Sequence, residues 1–145
     1  MTEINPINRN SINFKGKQKM ENKPETVADF AKVAVNNLTQ RAEREVPQDG
    51  DFAPVMERYI NHDRNVYANE MLLQITPLPV SLKNEPNYSK LRYLQAVVKS
   101  PLEQPNRCVL ACGTKEDILK VLKTDNLNER VANKLDELAE DLRIQ

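Results

Sequence analysis

Two cysteines, Cys108 and Cys112, stand four residues apart in the stretch NRCVLAC, and the single histidine, His62, lies between Asn61 and Asp63. These residue types could hold a metal, move a proton or attack an electrophile. On a strand, four residues span about 13 Å, well beyond the roughly 7 Å that a disulfide allows between Cα atoms. On a helix the cysteines would be close enough to share a metal. However, there is no CxxC pair and no second histidine to complete a tetrahedral set. The pattern around them favours the strand, so the expectation is two reduced cysteines packed with Leu110 as small apolar residues on the core face. No metal site follows.

His62 and Asp63 are neighbours, and neighbours on a helix point about 100 degrees apart, so adjacency alone does not make a base and its orienting carboxylate. If a helix runs through NHDRN, Asp63 falls in the apolar stripe between Tyr59 and Tyr67, where a carboxylate must be buried, paired or functional. If the helix breaks there, Asp63 or Asn61 caps its successor, and the run of polar residues favours the break. A dyad would need one cysteine to meet His62, and nothing in the sequence joins them. With only three glycines, no GxSxG elbow, P-loop or GxGxxG can be written. No catalytic residue is assigned, no cofactor is implied, and the balance is against an enzyme.

Binding chemistry is better represented. In NYSKLRYLQAVVK, the basic residues Lys90, Arg92 and Lys99 interleave with Tyr88 and Tyr93. A sheet that exposed them could stack single-stranded bases and hold phosphates. The signature of an RNA-recognition motif is absent and the chain has no tryptophan. Tyr93 packed under a helix, with the basic residues solvated, explains the stretch more simply, so nucleic-acid binding is the alternative reading.

Near the C-terminus, Asp136, Glu137, Glu140 and Asp141 outweigh Lys134 and Arg143. Acids in the last turns of a helix oppose its dipole and gain nothing locally, which leaves an acidic surface able to meet a basic partner. The N-terminal stretch has the opposite bias, with Arg9, Lys15, Lys17, Lys19 and Lys23 against Glu3 and Glu21. Within it, SINFK places Ile12 and Phe14 on one side of an extended chain, two apolar anchors for this domain's own sheet or another protein's edge. Ile12, Phe14, Asp136, Glu137, Glu140 and Asp141 are therefore the candidate protein contacts. The sequons at Asn37 and Asn87 need a secretory route that nothing here indicates.

The elements that must position these residues follow from composition and period. The chain has 145 residues, 21 basic and 21 acidic side chains and a net charge of zero, so no global field draws it to nucleic acid or anionic lipid. A hydrophobic share of 39% supports a modest core. No apolar run approaches the roughly 20 residues of a membrane span, and no signal-peptide pattern opens the chain. The expectation is a soluble, cytoplasmic protein.

Residues 1–23 cannot bury enough to offset their own ordering and are expected to form a flexible basic tail. Residues 24–145 are expected to form a single α+β domain. Val27, Phe30, Ala31, Ala34, Val35, Leu38 and Ala42 share one face of a helix that Pro24 opens and Pro47 with Gly50 closes. Asp51 reads as the N-cap of a second helix, with Phe52, Val55, Met56, Tyr59 and Ile60 as its stripe.

From Met71 to Leu82 the apolar residues alternate, and Pro77 and Pro79 mark an edge strand. Arg92 to Ser100 and Asn106 to Cys112 read as two more strands. Thr114 with Asp117 resembles a capping box before Ile118, Leu119 and Leu122. Leu127, Val131, Leu135, Leu138 and Leu142 give the clearest helical period in the chain. The order predicts a three-stranded antiparallel meander with four helices, two before and two after the sheet, packed on one face. The functional expectation is a non-catalytic module that binds another protein as an adaptor, inhibitor or subunit. Its partner is unspecified and homo-oligomers are compatible with the sequence.

Overall fold

A computed structural model describes residues 24–61, 69–101 and 104–144. The fold is α+β: a four-stranded antiparallel sheet with three helices against one of its faces. Helix α1 (Val27–Glu45) precedes strands β1 (Val55–Asn61), β2 (Asn69–Pro77), β3 (Arg92–Lys99) and β4 (Asn106–Gly113). Helices α2 (Lys115–Leu122) and α3 (Leu127–Ile144) follow. The strands lie side by side in chain order, so β1 and β4 are the edges.

Helix α1 forms where its apolar period requires. Thr26 caps it by accepting from the Asp29 N–H, and Phe30, Ala31, Ala34, Val35, Leu38 and Ala42 are buried. They pack with Met71, Leu73 and Ile75 of β2, with Leu94, Ala96 and Val98 of β3, and with Leu127, Val131 and Leu135 of α3 in one apolar cluster. Thr114 and Asp117 form a complete capping box at the start of α2. Among the described residues no helix is long and apolar enough to cross a membrane.

The expected second helix is a strand. Phe52, Val55, Met56, Tyr59 and Ile60 fit a helical stripe, but β1 sends Val55, Glu57 and Tyr59 toward the helices and Met56, Arg58 and Ile60 to the other side. The inward carboxylate of Glu57 hides the alternation in the sequence. It is tolerated because Arg41 Nη1 donates to Glu57 Oε2 at 2.8 Å and to the Met56 carbonyl at 2.8 Å, and Asn37 Nδ2 donates to Glu57 Oε1 at 3.1 Å. Tyr59 stacks on Phe30 with ring centroids 5.4 Å apart, and its hydroxyl donates to the Glu25 carbonyl. Asp51 therefore caps no helix, and Asn61 is the last residue of β1; Asp63 and the rest of 62–68 lie outside the described residues.

The expected edge strand is interior. β2 is bonded on both sides, to β1 and to β3. Pro77 is its last residue, Pro79 lies beyond it, and Val80–Leu82 is a 3₁₀ turn. Neither proline interrupts the ladder, so neither marks an edge. With β1 added, the described residues hold a sheet of four strands and three helices, in place of three and four.

Candidate binding face

The helices occupy one side of the sheet, and the register orders what the other side presents. Thr76, Tyr93 and Cys112 form a row across β2, β3 and β4. Next come Met56, Gln74, Gln95 and Val109, then Arg58, Leu72, Val97 and Arg107, and last Ile60, Glu70 and Lys99. None of these residues belongs to the main apolar cluster, yet Leu72 and Val97 at the centre are 2% and 1% exposed. Arg58 and Lys99 flank Glu70 at 3.4 and 4.0 Å, a charged cluster from three strands.

A groove of about 700 Å³ lies on this face. Gln74, Thr76, Tyr93, Gln95, Arg107 and Val109 contribute to it from the strands, Leu78, Pro79, Val80 and Tyr88 from the β2–β3 connection, and Asp51, Phe52 and Pro54 from the loop before β1. Gln95 Nε2 donates to Thr76 Oγ1 at 3.1 Å across the ladder. Gln74 is 8% exposed, and its carboxamide has no hydrogen-bond partner among the described residues.

Arg92 holds the rim. It is 1% exposed, and its guanidinium donates to the carbonyls of Ser89, Leu91, Pro47 and Gly50 at 2.9 to 3.2 Å while lying 4.8 Å over the Phe52 ring. Burial lowers its pKa, and the carboxylates of Asp49 and Asp51 act in the opposite direction. Gly50, at φ +92, donates its N–H to Ser89, and Lys90 Nζ meets Asp49 at 2.9 Å, which with Ser89 holds the Asp49 carboxyl below its ordinary range. The loop after α1 and the turn before β3 are thus one cross-linked unit. On the other side the Tyr88 hydroxyl donates to the Leu78 carbonyl.

The residues expected to bind nucleic acid therefore separate. Tyr88 and Tyr93 meet in the groove, Lys99 lies at the far end of the same face, Lys90 is engaged with Asp49, and Arg92 is spent on carbonyls inside the fold. Asp136, Glu137, Glu140 and Asp141 are exposed on α3, which packs on the helical side of the sheet, and Lys134 pairs with Glu137 at 2.9 Å. The groove does not include them. Ile12 and Phe14 lie outside the described residues.

The cysteines do not share the core face. The ladder between β3 and β4 slips at Leu94 and Gln95, so Leu110 is an extra residue with no partner. Cys108, opposite Ala96, faces the helices half-buried, while Cys112, opposite Tyr93, is exposed on the second face. Both are free, and burial raises the Cys112 thiol pKa, which leaves it a poor nucleophile at neutral pH. No group of His, Cys, Asp and Glu among the described residues could hold a metal.

A larger cleft, about 860 Å³, lies on the helical side between α1 and the α2–α3 turn. Its cations and amides are solvated: Lys32, Asn36 and Lys123 are exposed, and Asn37 is committed to Glu57. Gln74, Gln95 and Arg107 gave no signal in the sequence, because polar residues on a strand look like an ordinary solvated face. Comparison with protein-family models, curated proteins and solved structures finds no match to this chain.

Proposed function

We propose that this protein is a non-catalytic binding module that takes another protein on the second face of its sheet. The observation that supports this reading is the groove beside Val80 and Val109, which are 72% and 44% exposed, with no helix on that side among the described residues. An apolar surface gathered around a few polar groups fits recognition better than chemistry, since it brings no nucleophile and base together. The test is to pan the full chain against a displayed library of random dodecapeptides. Peptides should be recovered whose binding is lost when Val80→Asp and Val109→Asp are combined. Recovery of none, or binding indifferent to both changes, contradicts the reading.

Single-stranded nucleic acid is the second reading, favoured by Tyr88 and Tyr93 lying in one groove. It is weakened because Asp51 offsets Arg107 there and Arg92 is buried. Binding of short oligonucleotides that weakens steeply with salt would support it.

A further inference from the structure

We infer that the Gln74 carboxamide reads the backbone of its partner, bonding one peptide unit of an extended acidic segment laid across the groove; this rests on the protein-binding reading above. A carboxamide presents a carbonyl acceptor and an NH₂ donor, the counterparts of a peptide N–H and C=O. Gln74 lines the groove, is 8% exposed and has no hydrogen-bond partner among the described residues. Among the described residues the one buried side-chain polar atom without a partner is Arg92 Nε, so the Gln74 amide is not sealed in the fold; it stands in the groove with its acceptor and its donor open to an incoming peptide unit. Gln95, directly opposite in the register, gives its NH₂ to Thr76 and leaves its carbonyl for a second contact.

Charge narrows the occupant. Arg107 is exposed at the groove and makes no ion pair among the described residues, so it can receive a carboxylate. Asp51 in the same groove disfavours a polyanion, whose every unit is charged. Tyr93, Val80 and Val109 supply apolar contacts for alternate side chains of an extended peptide.

The peptides recovered by panning are synthesised and titrated by fluorescence anisotropy into the full chain and its variants Gln74→Met and Arg107→Glu. A parallel series carries one backbone N-methyl group at a time. The expected result is recovered peptides rich in acidic residues, with affinity falling at least about tenfold in Gln74→Met and on N-methylation at one interior position. Arg107→Glu should weaken binding by a similar factor. Gln74→Met should leave the melting temperature close to that of the wild type, because the amide makes no hydrogen bond among the described residues that the change would break.

Peptides that bind Gln74→Met as tightly as wild type overturn the inference and leave the protein-binding reading standing. If no peptide is recovered, both fall. A concentration-dependent dimer that masks the groove assigns it to a second copy. Tighter peptide binding after Ile12→Asp with Phe14→Asp assigns it to the chain's own N-terminal residues. Either result overturns a partner segment as the occupant.

Discussion

Arg92 and Gln74 are both largely buried, and they differ in what they bond: Arg92 donates four hydrogen bonds and keeps only its Nε without a partner, while Gln74 makes none among the described residues. Arg92 donates to four carbonyls from two loops, so its loss removes the bonds that tie those loops together. Arg92→Met is expected to cost about 2 to 4 kcal/mol, measured by urea unfolding. Arg92→Lys should recover part of that cost, since an ammonium cannot fork between two loops or stack on Phe52 as a guanidinium does. At Gln74 an apolar replacement of similar size is expected to be nearly neutral, since it breaks no hydrogen bond among the described residues. A fold that kept both residues for stability alone would lose stability in both variants.

The junction of β4 and α2 is the most tightly specified element boundary. Thr114 accepts from the Asp117 N–H while Asp117 Oδ2 accepts from the Thr114 N–H, and a Cβ on Gly113 would come within 2.7 Å of Asp117. Thr114→Ala should cost about 1 kcal/mol. Gly113→Ala should also destabilise, because the atom it crowds is Cβ of the capping residue. Thermal melts of each variant decide both.

The acid dependence sits at the end of α1 and in the loop after it. Arg41 holds the Glu45 carboxyl below its ordinary pKa, as Lys90 and Ser89 do for Asp49. Because these folded-state pKa values are depressed, the stabilisation is complete above the unfolded values near 4 and is lost as pH falls through the lower folded ones. Melting temperature should therefore drop between about pH 4 and pH 2, and Arg41→Met should flatten that drop while lowering the plateau at pH 7. A parallel drop in the variant would contradict the assignment.

The three helices and strands β3 and β4 were legible in the sequence because their cues are local: an apolar period, a capping box, an unbroken apolar strand. β1 was not, because Glu57 occupies an inward position and only its ties to Arg41 and Asn37, 16 and 20 residues away, make that acceptable. The bulge at Leu110 was also hidden, and with it the sorting of Cys108 and Cys112 to opposite faces. Of the groove, Tyr88 and Tyr93 could be read as a binding pair. Gln74 and Arg107 become notable only once burial and missing partners are known.

At the scale of the molecule, one sheet separates two surfaces of different character. The helical side is filled by the apolar cluster and finished with solvated charge. The other side carries a groove, the Gln74 amide without a hydrogen-bond partner among the described residues, and exposed Val80, Val109 and Ile60. On the proposed reading, the second surface is where the protein meets its partner. Amide chemical-shift mapping of the ¹⁵N-labelled full chain, titrated with a peptide recovered by panning, tests this most directly. The account predicts the largest shifts at Gln74, Thr76, Tyr93, Gln95 and Val109, with α1 and α3 unmoved. Shifts centred on Asp136 to Asp141 of α3, or on the cleft beside Lys32 and Lys123, would contradict it.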